Sequence, residues 1–322
     1  MKAFLVATLL GIFVLFLMSV VGTFLSRTYE TVVRAETPSD SETRFVETRS
    51  GRVHVIDQGE GEDVVLLLHG TGRSVADWQE GLAERLAQKY RVVGIDYYGH
   101  GLSDRTHPLR YGIALWAEQA VDVLDALDIE RVTVVGHSAG GCVAAILTAD
   151  HPERVDRAVF IGHGIAMDPT QVIPLILGLG EMRMARTEIF GDVFSEAHER
   201  RLQAAYSIRG TRGALLTFLR RQYTIDGLRL LSGTYEDIRR PVLQVHGSED
   251  ASIPIAAGRK LSSRLEETRF AAFEGVGHDV HVEAPARLAE AIDRFVRETP
   301  TSDERIDTLA RASSVVDRMS NE

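Results

Sequence analysis

Three residues of this 322-residue chain have the types that acyl-transfer chemistry requires: Ser138, Asp250 and His278. A serine hydroxyl is a poor nucleophile at neutral pH. A histidine that can take its proton makes attack possible and later protonates the leaving group. A carboxylate on the other ring nitrogen fixes the tautomer and stabilises the imidazolium. The chain order serine, acid, histidine is the one expected when all three sit after strands of one sheet. Glu249 is the alternative acid, but Asp250 stands where a loop leaving its strand would turn inward. Asp279 is expected to point away from this chemistry, and His281 to lie on the surface at the start of the last helix. Asp96 reads as structural, because its loop precedes the serine turn.

Ser138 belongs to Gly136-His137-Ser138-Ala139-Gly140, a G-x-S-x-G pattern. Val132 to Val135, before it, is a short β-branched run that reads as a buried strand. Ala139 to Ala149, after it, is rich in small helix formers. The glycines suit a turn so tight that side chains would collide with the strand and the helix. Such a turn lifts the hydroxyl clear of the sheet and aims the first N–H groups of the helix at whatever binds beside it.

A second loop, His69-Gly70-Thr71-Gly72, follows the unbroken apolar run Val64 to Leu68. The backbone N–H of Thr71 (or Gly72) and that of Ala139 are candidates for an oxyanion hole, with glycine allowing close approach. Gly70, Gly72, His137 and His163 are the further candidates for lining a substrate pocket, packing being the simpler reading for His163. His69 is expected to pin its own loop. Cys142 is the single cysteine, so no intramolecular disulfide can form. It reads as a packed core thiol.

The elements that must position these residues alternate strand and helix. Arg44 to Thr48 and Val53 to Asp57 form a hairpin with one solvated face. Helical period runs from Asp77 to Tyr90, with Trp78, Leu82 and Leu86 on one side. Strand Arg91 to Asp96, helix Ala114 to Leu127 and strand Ala158 to Ile161 follow. Val242 to His246 and Arg269 to Phe273 are the last strands, with helices at Ile255 to Leu265 and Glu283 to Glu298. This order predicts a mostly parallel sheet covered on both faces. The three candidate residues then line one crevice at the strand ends. Asp250 and His278, one strand-helix unit apart, should end adjacent strands.

Ile165 to Arg240 breaks the alternation and reads as a helical insertion over the sheet edge. Val172 to Leu179 is nearly all apolar, and Glu196 to Tyr206 and Ala214 to Tyr223 are amphipathic. The insertion holds eleven Arg and no Lys against nine acidic residues. Arginine can meet phosphate or carboxylate groups. A solvated face laced with pairs such as Glu196 with Arg200 accounts for it equally.

The formal net charge of −10 argues against a nucleic-acid partner. Ala3 to Leu25 carries no charge and exceeds the roughly 20 apolar residues that cross a bilayer. It is read, within residues 1–27, as a single-pass membrane anchor of unreadable orientation. Export after signal cleavage is the alternative. Residues 28–43 read as a linker and 299–322 as a polar tail. No metal-ligand spacing appears, and no cofactor is called for.

Together, His69-Gly70-Thr71-Gly72, Ser74 with Trp78, the Asp96 to Ser103 loop, the Ser138 turn, Asp250 with Ile253-Pro254, and Gly277-His278 resemble the α/β-hydrolase superfamily over about Arg44 to Glu298. The resemblance implies an eight-stranded, mostly parallel sheet as the core (44–164 and 241–298), with a helical lid after the sixth strand (165–240). Within the superfamily the chain looks most like lipases and esterases of the monoacylglycerol-lipase type, some of which carry an N-terminal anchor. That implies an ester cleaved through an acyl-enzyme on Ser138; the anchor and the apolar Val172 to Leu179 stretch suggest a lipophilic one taken from the bilayer, and an apolar lid core explains the same residues without any lipid. Haloalkane dehalogenases and epoxide hydrolases carry aspartate where Ser138 stands. A carbon–carbon bond hydrolase or a cofactor-free perhydrolase uses the same triad and stays open as the alternative. A non-catalytic binding protein on this fold is the third reading.

Overall fold

The computed structural model describes residues 32–33, 43–107, 110–164, 196–222 and 225–299. Eight strands form: β1 (Thr43–Thr48), β2 (Gly51–Gln58), β3 (Val64–Leu68), β4 (Arg91–Ile95), β5 (Val132–His137), β6 (Val155–Ile161), β7 (Val242–Gly247) and β8 (Thr268–Phe273). They make one sheet in the order β1-β2-β4-β3-β5-β6-β7-β8. β2 runs antiparallel to both neighbours, and every pairing from β4 to β8 is parallel.

The principal helices are α1 (Ile113–Ala126), α2 (Ala139–Asp150), α3 (Glu196–Tyr206), α4 (Thr211–Gln222), α5 (Ile255–Ser262) and α6 (Pro285–Glu298). The central strands are apolar without alternation because helices cover both faces. Leu66 and Leu68 face one way, into a cluster with Val134, Phe160 and residues of α1 and α2. Val65 and Leu67 face the other, against Trp78, Leu82, Leu86 and the Leu288–Ile292–Phe295 stripe of α6. α2 is buried around its whole circumference from Ala139 to Thr148. The insertion makes this possible, since Leu202, Leu215, Phe218 and Leu219 join the same cluster.

Three expectations are modified. β1 has a solvated side, but Val53 to Ile56 of β2 are all buried, and the His54 ring reaches Asp96 at 2.7 Å instead of water. The helix expected over Asp77 to Tyr90 is interrupted. Turns Ala76–Trp78 and Glu84–Leu86 flank a wider π-turn, Gln79–Ala83. α4 begins at Thr211 rather than Ala214.

Val32, ahead of β1, pairs with the α3–α4 junction. Its N–H donates to Ser207 O at 3.0 Å, and Arg209 N donates to Val32 O at 2.8 Å. The apolar stretches Ala3 to Leu25 and Val172 to Leu179, and the tail from residue 300, lie outside the described residues. Among the described residues no helix is long and apolar enough to cross a membrane.

Phe160 is wholly buried at the centre of the sheet. Phe160→Ala should cost about 3–5 kcal/mol of unfolding free energy in a denaturant titration. A loss below about 1 kcal/mol would contradict this packing.

Candidate active site

Strand order reverses between β3 and β5, and in an open parallel sheet the crevice forms there. β5 runs directly into Ser138, and α2 starts one residue later. Ser138 adopts φ 51° and ψ −116°, a left-handed conformation that costs an L-residue of order 1–3 kcal/mol. The turn is held from three sides. Ser138 N donates to Ile161 O at 2.9 Å, and Ser138 O accepts from Gly141 N at 2.9 Å and His163 Nδ1 at 3.1 Å. The flanking glycines are where the elements cross. A Cβ on Gly136 would lie 2.3 Å from Gly140 O, and one on Gly140 only 2.1 Å from Leu68 O.

The loop after β3 lies against this turn: a Cβ on Gly70 would sit 3.0 Å from His137 Nδ1 and 3.4 Å from Ser138 Cβ. His69 pins the loop, donating from Nδ1 to Gly70 O at 2.9 Å and accepting Tyr97 N–H on Nε2 at 3.3 Å. Burial pushes the His69 pKa down, which suits the neutral tautomer those two bonds require. From α3, the Tyr206 hydroxyl donates to Gly72 O at 3.0 Å. Ala139 is the first residue of α2, and a helix leaves its first N–H groups without internal acceptors. The Thr71 loop and this helix start are therefore neighbours at the crevice.

β7 and β8 are adjacent, as expected, and bring Asp250 to His278. His278 Nδ1 donates to Asp250 Oδ2 at 2.8 Å. Asp250 Oδ1 accepts Ser252 N at 2.9 Å and Ile253 N at 2.7 Å. His246 Nε2 lies 3.3 Å from Asp250 Oδ2 and donates to Ile253 O at 2.7 Å. Burial opposes charge on Asp250, but the hydrogen bonds from His246 and His278, the charge of His278 and the Ile253 N–H outweigh it. The carboxyl is held well below the usual range. The Asp250 side chain is sealed from solvent, whereas the His278 ring is 19% exposed. Glu249 is exposed and is not the partner. With Nδ1 engaged, His278 presents Nε2 as its proton-accepting edge.

The other candidates fall differently. His137 is buried behind the serine turn. Its ring packs on His278 and His281 at 4.7 and 4.3 Å, and its Nε2 donates to His278 O at 3.2 Å. Burial, then the neighbouring His281, His278 and Arg73, push its pKa well down, so it is a neutral spacer and not a pocket wall. His163 is buried too, accepting from Tyr235 Oη on Nε2 at 3.0 Å. Burial lowers its pKa to about 4. Cys142 is a buried thiol with its pKa pushed up to about 12, chiefly by burial.

The surface position expected for His281 is wrong. It is fully buried, 4.5 Å from the Trp78 ring. The cause is Glu283, which accepts from Gly277 N at 2.8 Å and Asp279 N at 3.1 Å. This folds the short helix Val280–Glu283 inward. Sequence reasoning also missed Arg73, Asp77, His198 and His246. Only the four-residue Arg73–Asp77 spacing offered a signal.

The fold brings His137 to Asp279 and His281, with ligand atoms within 4.8 Å of one another. Arg73 Nη2, however, already faces that carboxylate at 3.1 Å. A groove of about 330 Å³ lined by Val64, Val132 and Asp156 opens at the opposite end of the parallel strands and carries none of the candidate residues.

The family model described as alpha/beta hydrolase fold matches residues 63–188. A 2-hydroxymuconate semialdehyde hydrolase of Pseudomonas sp. is 32% identical over 260 residues, 77% of this chain and 91% of that protein. The chain belongs to the α/β-hydrolase family. A second relative of this hydrolase, a 2-hydroxy-6-oxo-2,4-heptadienoate hydrolase of Pseudomonas putida, is 30% identical over 253 residues, 74% of this chain and 91% of that one. Among solved structures, a meta-cleavage product hydrolase from Pseudomonas fluorescens superposes with TM-score 0.66 at 24% identity, covering 81% of this hydrolase and 100% of its own chain. The two relatives are named as hydrolases of a hydroxymuconate semialdehyde and of a hydroxy-oxo-heptadienoate, not as monoacylglycerol lipases.

The depressed Asp250 carboxyl stabilises the fold above the ordinary carboxylate value of 3.8, and this contribution is lost as pH falls toward the lower folded value. The stability gap between wild type and Asp250→Asn should be full at about pH 6 and shrink below about pH 4. A gap that stays constant through that interval would contradict a depressed Asp250 carboxyl in the folded protein.

Proposed function

We propose that Ser138, His278 and Asp250 are a catalytic triad, that the Thr71 and Ala139 N–H groups bind the oxyanion, and that the bond hydrolysed is a carbon–carbon bond beside a carbonyl in a small conjugated oxo acid. The observation that carries the triad is the 2.8 Å His278–Asp250 hydrogen bond beside the strained Ser138 turn. The substrate class is supported by relatives whose names describe hydroxymuconate and heptadienoate substrates.

Ser138 Oγ attacks the ketone or aldehyde carbon while His278 takes its proton. The oxygen becomes an anion opposite the two N–H donors, where fixed dipoles act without reorganisation. The carbon–carbon bond then breaks. A carbon leaving group is far more basic than an alkoxide, so the substrate must react as its 2-oxo tautomer, in which the carbon beside the attacked carbonyl is saturated; on cleavage its electron pair spreads through the alkene onto the 2-oxo group, and the dienolate formed takes up the proton held by His278. Water, deprotonated by His278, releases the acid and restores Ser138. A lipophilic ester would use the same residues with an alcohol as the leaving group. That reading shares the machinery but has no support from the relatives named above. The apolar Ala3 to Leu25 stretch remains a proposed anchor, tested by whether the protein stays with membranes after alkaline carbonate washing.

The deciding experiment compares 2-hydroxymuconate semialdehyde and 2-hydroxy-6-oxo-2,4-heptadienoate with p-nitrophenyl esters from acetate to palmitate and with a simple carbamate. The dienoates should exceed the best ester by at least about 10²-fold in kcat/KM, and Ser138→Ala should lose at least about 10⁴-fold. A preference for esters would return the site to esterase chemistry. Equal rates in wild type and Ser138→Ala would refute the triad.

A further inference from the structure

A closed set of charges that the proposed triad does not use lies behind the loops carrying Thr71 and His278. Arg73 is 5% exposed. Its Nη2 donates to Asp279, beside His278, at 3.1 Å to Oδ2 and 3.4 Å to Oδ1. Its Nε lies 3.8 Å from Asp77 Oδ2, one helical turn further along the chain. The other oxygen of Asp77 is 3.2 Å from Nε2 of His198 on α3, and the Nδ1 of that ring faces Ala76 O at 3.3 Å. His281 Nε2 approaches Asp77 at 3.8 Å, and His137, the residue before Ser138, approaches Asp279 at 3.7 Å. One buried network thus touches the glycine loop, the serine turn, the histidine loop and the insertion.

Stability alone gives no reason for such a network. Replacing a buried ion pair with apolar residues of similar volume is often neutral or stabilising, because desolvation offsets the attraction. Geometry gives a reason. A guanidinium is planar and rigid, so it can hold two carboxylates at fixed angles, which an ammonium cannot. Arg73 itself stands two residues after Thr71, and the carboxylate that it holds, Asp279, directly follows His278. A displacement of about 1 Å between such groups costs about 10²-fold in rate.

We propose that Arg73 is a positioning residue: its ion pair with Asp279 fixes the His278 loop against the Thr71 loop, and Asp77 extends the same tie to α3 through His198. Docking of the insertion and alignment of the base are then coupled. The inference rests on the triad assigned above, but not on the identity of the bond cleaved.

Arg73→Met alone leaves two buried carboxylates unbalanced and can unfold the protein. The test therefore uses the neutral combination Arg73→Met, Asp77→Asn, Asp279→Asn beside Arg73→Lys. The combination should unfold thermally within a few degrees of wild type. Its kcat on the preferred substrate should fall about 10²-fold while KM changes less than about threefold, and fluorophosphonate labelling of Ser138 should slow in parallel. Arg73→Lys should recover only part of kcat, since it keeps the charge and loses the fork. A folded combination variant with wild-type kcat and labelling rate would overturn the proposal. A wild type that takes no label would refute the Ser138 reading instead. The network is then judged by the His278 imidazole NMR signals, which move in the combination variant if Arg73 positions the loop and coincide with wild type if it does not.

Discussion

The structure depends on the crossing of α2 over β3 and β5 at Ser138. A residue held at φ 51° relaxes unless its surroundings allow no other path. Here they allow none. Gly140 packs directly on the Leu68 carbonyl, Gly136 packs on the Gly140 carbonyl, and the Ser138 N–H is taken by β6. The apolar core on both faces of the sheet serves this crossing. α2 can run so close to the strands only because its residues are small. It can be buried all round only because the insertion covers its outer side.

Above the sheet the backbone leaves the ladder, and loops must be ordered by other means. Three buried aspartates do this. Asp96 gathers the N–H groups of Val75 and Leu102 and the His54 ring, each within 2.8 Å. Asp77 gathers Arg73, His198 and His281. Asp250 gathers His278, His246 and two N–H groups of its own turn. In each case burial opposes the charge, and the partners reverse that preference and keep the carboxyl ionised. Several histidines show the complementary behaviour. Burial lowers the pKa values of His69, His100, His137 and His163, so they act as neutral spacers and hydrogen-bond partners.

What could be read in the sequence follows from how local each signal is. Ser138 was legible because strand, glycines and helix lie within twenty residues of chain, and Asp250 and His278 because each follows its own apolar run. The sheet was legible because unbroken apolar strands can exist only with both faces covered. Arg73 with Asp279 was not legible, since nothing local marks residues that meet only through the fold. His281 was misplaced because its inward turn is set by Glu283 bonding backward to Gly277 and Asp279, a side-chain cap invisible in hydrophobic periodicity.

The same distinction bears on substrate. The proposed nucleophile, base and oxyanion donors sit at the strand ends and would serve an ester and a carbon–carbon bond alike, so they could not separate the two. The separation must come from groups that touch the leaving portion. Tyr206 on α3 reaches the Gly72 carbonyl of the loop after β3, and Tyr235, near the end of the insertion, reaches His163 beneath Ser138. The insertion is thus bonded to both loops beside Ser138. A change of insertion sequence therefore acts on the loop after β3 and on the support of the Ser138 turn together.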